Sequence, residues 1–136
     1  NEFSHHRRLC MPPDDLLYAG QMLDTARKAM QFAKDKDREA YDNDEVLRVA
    51  LAHLVQVIGE AARLTSPRFR DAHPEIPWPI IVGMRHKVVH EYMNVDEDIV
   101  WETVIHDLPE LIQHLEKILP PEDSDESDKE KNADQE

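Results

Sequence analysis

The sequence predicts an all-α fold, an up-and-down bundle of four main helices, and three observations predict it. Apolar residues recur at alternating spacings of three and four along three long stretches, the period of one helix face. Of 136 residues only 3 are Gly and 6% are aromatic, which favours helices over a β-sandwich. No stretch alternates apolar and polar residues as a half-buried strand does, and no segment repeats another. The length fits one domain with one core.

Residues 1–10, NEFSHHRRLC, have no period and sit directly before Met11. They read as a vector-derived or disordered leader, so residues 1–13 fall outside the domain and nothing functional is drawn from His5, His6 or Cys10. Asp14 or Asp15 caps the first helix. Its stripe is Leu16, Ala19, Leu23, Ala26, Met30 and Ala33. The run KDKDRE, residues 34–39, reads as a polar link. Asn43 or Asp44 caps the second helix, with the stripe Leu47, Ala50, Leu54, Val57, Ala61 and Leu64. Leu51, Val55 and Ile58 broaden that stripe, so this helix should be the most buried. Ser66-Pro67 stops it, because proline drives the preceding residue out of the helical region.

A proline-rich corner, residues 73–79, follows. Pro79 suits the first turn of a third helix, which runs through Ile80, Ile81, Met84, Val88 and Val89 and should fray near Tyr92. Asn94 or Asp96 caps the fourth. Its stripe is Trp101, Val104, Leu108, Leu111, Leu115 and Ile118, and Pro109 inside it should kink the helix. Pro120-Pro121 ends it, so the helical domain spans residues 14–119. Trp78 and Trp101 read as packing residues, and His106 and His114 as solvated.

Charge is unevenly distributed. The chain carries 16 Lys+Arg against 29 Asp+Glu, a net of -13. Residues 120–136, PPEDSDESDKEKNADQE, supply eight acidic residues, two Lys and no large apolar side chain. Such a segment cannot offset its ordering entropy and reads as a disordered acidic tail. A net negative body argues against gripping nucleic acid by its overall field but leaves room for a local basic site.

Composition also excludes whole classes. Gly20, Gly59 and Gly83 cannot be written into a phosphate-binding glycine loop. One cysteine excludes a disulfide framework or a cysteine-rich zinc module. No apolar run approaches the roughly 20 residues that span a bilayer. The expectation is a small soluble protein of the cytoplasm, not of a membrane.

The most basic patch of the body is Arg85-His86-Lys87, followed by His90-Glu91-Tyr92. On a helix, His86 and His90 would share a face, and Arg85 and His90 would lie about 140° apart. Three readings compete. The cationic groups could simply favour a helix C-terminus. His86-x3-His90 has the spacing of a zinc pair, though the Glu of His-Glu-x-x-His is missing; a di-iron site is weaker still, since Glu-x-x-His occurs only at Glu2–His5. The third is phosphate chemistry, with a histidine for proton transfer, an arginine for a phosphoryl oxygen and a tyrosine to stack or hydrogen-bond.

Arg85-x4-His90-x-Tyr92 matches the Arg-x4-His-x-Tyr signature of HEPN-domain proteins. Around it stand Ile58-Gly59-Glu60-Ala61, Pro74-Glu75-Ile76-Pro77-Trp78, Val82-Gly83-Met84-Arg85, Ile99-Val100-Trp101-Glu102 and Leu108-Pro109. In that order the series resembles the HepT-like branch over residues 15–119. The resemblance implies a helical homodimer with two motifs in one interface cleft. It implies a metal-independent endoribonuclease toxin that needs no cofactor. It also implies a minimal nucleotidyltransferase antitoxin that transfers AMP to the motif tyrosine. Carried over, Arg85 and His90 are catalytic and Tyr92 is the AMP acceptor. His86 is polar, as its position expects, but not the usual Asn; it and Lys87 take supporting roles. Glu60 could support the site by pairing with Arg85 across the bundle. The alternative is a non-catalytic module that binds the nucleotidyltransferase or nucleotides, and the intact Arg85/His90 pair favours the enzyme.

Overall fold

Helix α1 (Pro13–Ala33) starts on a proline, whose fixed φ suits a first turn, and buries Ala19, Met22, Leu23, Ala26, Ala29 and Ala33 on one face. The structure, a computed structural model, describes residues 13–90 and 94–121; the leader and nearly all of the acidic tail lie outside the described residues. Four of the six buried α1 residues are alanine, so the next long helix can lie close along them.

Between the two, the expected polar link is partly helical. Asp35 adopts φ 60, a left-handed conformation that aspartate tolerates, and closes α1. Helix α2 (Arg38–Asp42) follows, with Asp37 as N-cap accepting from the Ala40 N–H at 2.8 Å. Tyr41 drives this departure. It is fully buried, stacks on Trp101 with ring centroids 4.9 Å apart, and donates its hydroxyl to Glu97.

Helix α3 (Glu45–Leu64) is capped by Asp44, which accepts from the Leu47 N–H at 3.0 Å. It packs against α1 on one side and helix α5 (Trp78–Val88) on the other. Its buried centre is Leu47, Leu51, Val55, Ile58 and Ala62. The expected stripe through Ala50, Leu54, Val57 and Leu64 is therefore rotated. Leu54 and Val57 are half-buried and Leu64 is exposed. A helix with neighbours on two sides carries an apolar belt wider than one stripe, and spacing alone does not mark its middle.

Thr65 ends α3 in extended backbone, and Ser66 caps the short helix α4 (Pro67–Ala72), accepting from the Phe69 N–H at 3.1 Å. Asp15, expected as a cap of α1, instead lies buried inside its first turn. It accepts from the Ser66 N–H and hydroxyl, both at 2.7 Å, and so ties α1 to the start of α4. The corner before α5 is fixed by Trp78, whose indole N–H donates to the His73 carbonyl at 2.9 Å. Both tryptophans are buried.

Helix α5 stops at Val88, four residues short of the expected fraying point. Val89–His90 forms strand β1, which pairs antiparallel with strand β2 (Asn94–Val95), Val89 opposite Val95 and His90 opposite Asn94. The β-branched pair Val88-Val89 favours this exit into extended backbone. The sequence predicted no strand here, and a two-residue ladder is too short to leave a periodic signal.

The last helical run begins at α6 (Glu97–Glu102), with Asp96 accepting from the Ile99 N–H at 3.2 Å. The interruption expected at Pro109 takes the form of a π-helical turn, Thr103–Asp107, before helix α7 (Leu108–Ile118). Leu108 donates its N–H to the Thr103 carbonyl five residues back. The wider turn changes the ladder's register just ahead of the residue that has no N–H to give. Helix α7 packs back on α1. Among the described residues no helix is long and apolar enough to cross a membrane.

Candidate active site

The crossing of α3 and α5 builds the site. A Cβ on Gly59 would meet the Ile81 carbonyl oxygen at 3.2 Å and the Arg85 nitrogen at 3.5 Å, so glycine is what lets the two backbones come this close. The next residue, Glu60, thereby reaches across to α5. Its Oε2 accepts from Arg85 Nη1 at 3.1 Å.

Glu60 has a second partner one helical turn ahead. Arg63 grips it in a fork, Nη2 to Oε1 at 2.6 Å and Nε to Oε2 at 3.1 Å. The fork from Arg63, then the Arg85 charge, hold the Glu60 carboxyl below the usual carboxylate range, while Glu60 raises the Arg63 guanidinium. All three groups face water: the side chains of Glu60, Arg63 and Arg85 are 37%, 56% and 57% exposed. Sequence reasoning singled out Glu60 and Arg85 but passed over Arg63. Its signal was the three-residue spacing from Glu60 on one helix face.

His86 follows Arg85 on the last turn of α5 and is exposed. The helix ends before His90, so His86 and His90 do not share a helical face, and the i,i+4 pair of the zinc reading is not formed on α5. The 140° separation of Arg85 and His90 likewise lapses, because extended backbone begins between them. Tyr92 lies outside the described residues, as do the side chains of Lys87 and His90. His90 pairs with Asn94 in the hairpin, so the chain returns to the ladder four residues later.

A separate cleft of about 540 Å³ lies on another side of α5, lined by Ile80, Met84 and Ile99 with Asp98, Glu102 and Asp107. It contains none of the candidate residues.

Comparisons with known proteins identify the family. The family model described as "Ribonuclease HepT-like" matches residues 22–118. The chain is 34% identical over 105 residues to "Putative RNase TTE0752" of Caldanaerobacter subterraneus, covering 77% of this chain and 94% of that one. It is 37% identical over 90 residues to "Putative RNase MJ0125" of Methanocaldococcus jannaschii, covering 66% and 78%. A third relative, "Probable ribonuclease HepT" of Thermococcus cleftensis, is 34% identical over 88 residues, covering 65% and 80%. No solved structure matches the chain with significance. A family match across the bundle, including both helices that meet at Gly59 and the whole Arg85–Tyr92 segment, places the chain in the HepT-like family of HEPN proteins.

Proposed function

We propose that this chain is the toxin of a toxin–antitoxin pair: a homodimeric, metal-independent endoribonuclease of the cytoplasm, silenced when a nucleotidyltransferase antitoxin transfers AMP to Tyr92. The observation that carries the reading is the placing of Arg85. It is exposed at the end of α5, held through a single nitrogen, and five residues ahead of His90. Family membership and the relatives' names support ribonuclease chemistry.

The chemistry follows from the side chains. The ribose 2′-hydroxyl attacks the adjacent phosphorus while a base takes its proton. The bond to the 5′-oxygen breaks as an acid protonates that oxygen, leaving a 2′,3′-cyclic phosphate. Histidine suits either proton task near neutral pH. Arg85 stabilises the charge that builds on the phosphoryl oxygens. Two chains would bring two His90 into one cleft, so a single-motif chain can supply both acid and base. That cleft would also gather Arg85, His86 and Lys87 from both chains, a local basic field on an acidic protein.

An exposed stripe on α3 supports the dimer. Val46 and Val49 are 79% and 64% exposed, and with His53, Val57 and Leu64 they fall on one helical face that also carries Glu60. Burying that face against a second copy would bring two Glu60–Arg85 crossings together.

The test is cleavage of labelled single-stranded RNA by the purified chain in EDTA. The expected products end in 2′,3′-cyclic phosphate, and RNA carrying 2′-deoxy sugars stays intact. Activity that is lost in EDTA and returns with zinc would replace this reading with a metal-dependent one. Tight binding of the nucleotidyltransferase or of nucleotides without any cleavage would favour the non-catalytic module.

A further inference from the structure

We infer that Glu60 is a positioning residue for RNA cleavage: braced by the Arg63 fork, it holds the Arg85 guanidinium in the orientation that meets the scissile phosphate. The inference rests on Arg85 being the phosphate-stabilising group of the proposed ribonuclease.

Three features carry it. Arg63 takes both oxygens of the carboxylate, and a two-pronged grip fixes the plane of the acceptor as well as its place. Arg85 receives a share of only one oxygen, through Nη1, and its other N–H groups have no partner among the described residues. It is aimed but not used up. Gly59 fixes how far the carboxylate stands from α5, so the aim is set by a backbone contact rather than by flexible side chains. A stabilising role explains little, since ion pairs between exposed side chains contribute almost nothing to folding.

The charge makes the inference testable. Glu60 places a negative charge beside the position an RNA phosphate must take. If charge alone mattered, Glu60→Gln would tighten RNA binding and leave cleavage as fast or faster. If Glu60 aims Arg85, the same variant binds RNA as well or better yet cleaves it more slowly.

The experiment uses the full chain, a labelled oligoribonucleotide, and separate measurements of kcat and KM. Glu60→Gln and Arg63→Ala are each expected to lower kcat about tenfold, the scale of a small misplacement, with KM for Glu60→Gln unchanged or lower. The double variant is expected to be no worse than the poorer single one, because both act through one carboxylate. Melting midpoints should stay at the wild-type value. Arg27→Ala, which removes a pair with Glu116 at 3.0 Å between α1 and α7, should cleave as the wild type does. A Glu60→Gln chain with wild-type kcat, while Arg85→Ala is inactive, overturns this inference alone. So do losses that multiply in the double variant, which would make Arg63 an independent contact to RNA. A wild-type chain that cleaves no RNA, or an active Arg85→Ala, overturns the ribonuclease reading and this inference with it.

Discussion

Among single residues, Arg85 and Tyr92 decide activity and its control. The proposal has Tyr92 accept an adenylyl group, its phenol oxygen attacking the α-phosphorus of ATP as pyrophosphate leaves. On this proposal the added phosphate is an anion that takes the place of an RNA phosphate. Co-expression with the cognate nucleotidyltransferase is expected to add roughly 329 Da, or a small multiple of it, to the intact mass. Tyr92→Phe should lose the shift; an adduct on Tyr18 or Tyr41 instead would defeat the assignment. Tyr41 is a poor acceptor because it is fully buried against Trp101. Burial, then the hydrogen bond to Glu97, pushes its hydroxyl well above the ordinary value. A group whose folded value is raised contributes stability fully present below its unfolded pKa of about 10 and lost as pH rises beyond it. Alkaline titration should therefore unfold the chain with a slope that Tyr41→Phe removes, and that variant should cost about 1 kcal/mol at neutral pH. The Glu60–Arg85 pair was legible in the sequence because both stood in the family series. The Asp15–Ser66 tie was not, since it joins residues 51 apart and an acidic first-turn residue reads equally well as a cap.

Among the elements, the α3–α5 crossing and the exit of α5 decide where the chemistry stands. Gly59→Ala tests the crossing. Alanine would gain about 1 kcal/mol of helix propensity, but its Cβ would press on backbone oxygen at 3.2 Å, and backbone inside a helix does not yield as a side-chain tip does. The net expectation is a loss of about 1 kcal/mol, read as a lowered melting midpoint, with cleavage reduced further because Glu60 and Arg85 are pushed apart. A midpoint equal to or above wild type would show that the helices can separate freely. The four main helices were legible because 3.6-residue periodicity survives over 11 residues or more. Helices α2 and α4 and the hairpin were not, because elements of two to six residues carry no period. Buried Tyr41 and Phe69 anchor the two short helices, and backbone pairing forms the hairpin. The early end of α5 is the consequential miss. It moves His90 off the helix and removes the shared face on which the zinc pair depended.

In the whole molecule, one motif per chain becomes a complete site only if two chains share a cleft. In the sequence, the apolar stripes of the first two long helices, broadened by Leu17 on one and by Leu51 and Val55 on the other, point to a dimer. Leu51 and Val55 prove to be fully buried in the monomer's own core, and only Leu17 of the three is exposed. The exposed face of α3, with Val46 and Val49, now carries that expectation. Sedimentation should show a dimer at micromolar concentration, and Val46→Asp/Val49→Asp should give a folded monomer that no longer cleaves. A wild-type monomer with full activity would remove the shared cleft. The central claim is that Arg85 and His90 cut RNA without a metal, and its most direct test is cleavage by purified His90→Ala and Arg85→Ala in EDTA. Each variant should lose at least about a hundredfold in rate with its helical spectrum unchanged; undiminished cleavage by His90→Ala would contradict this mechanism.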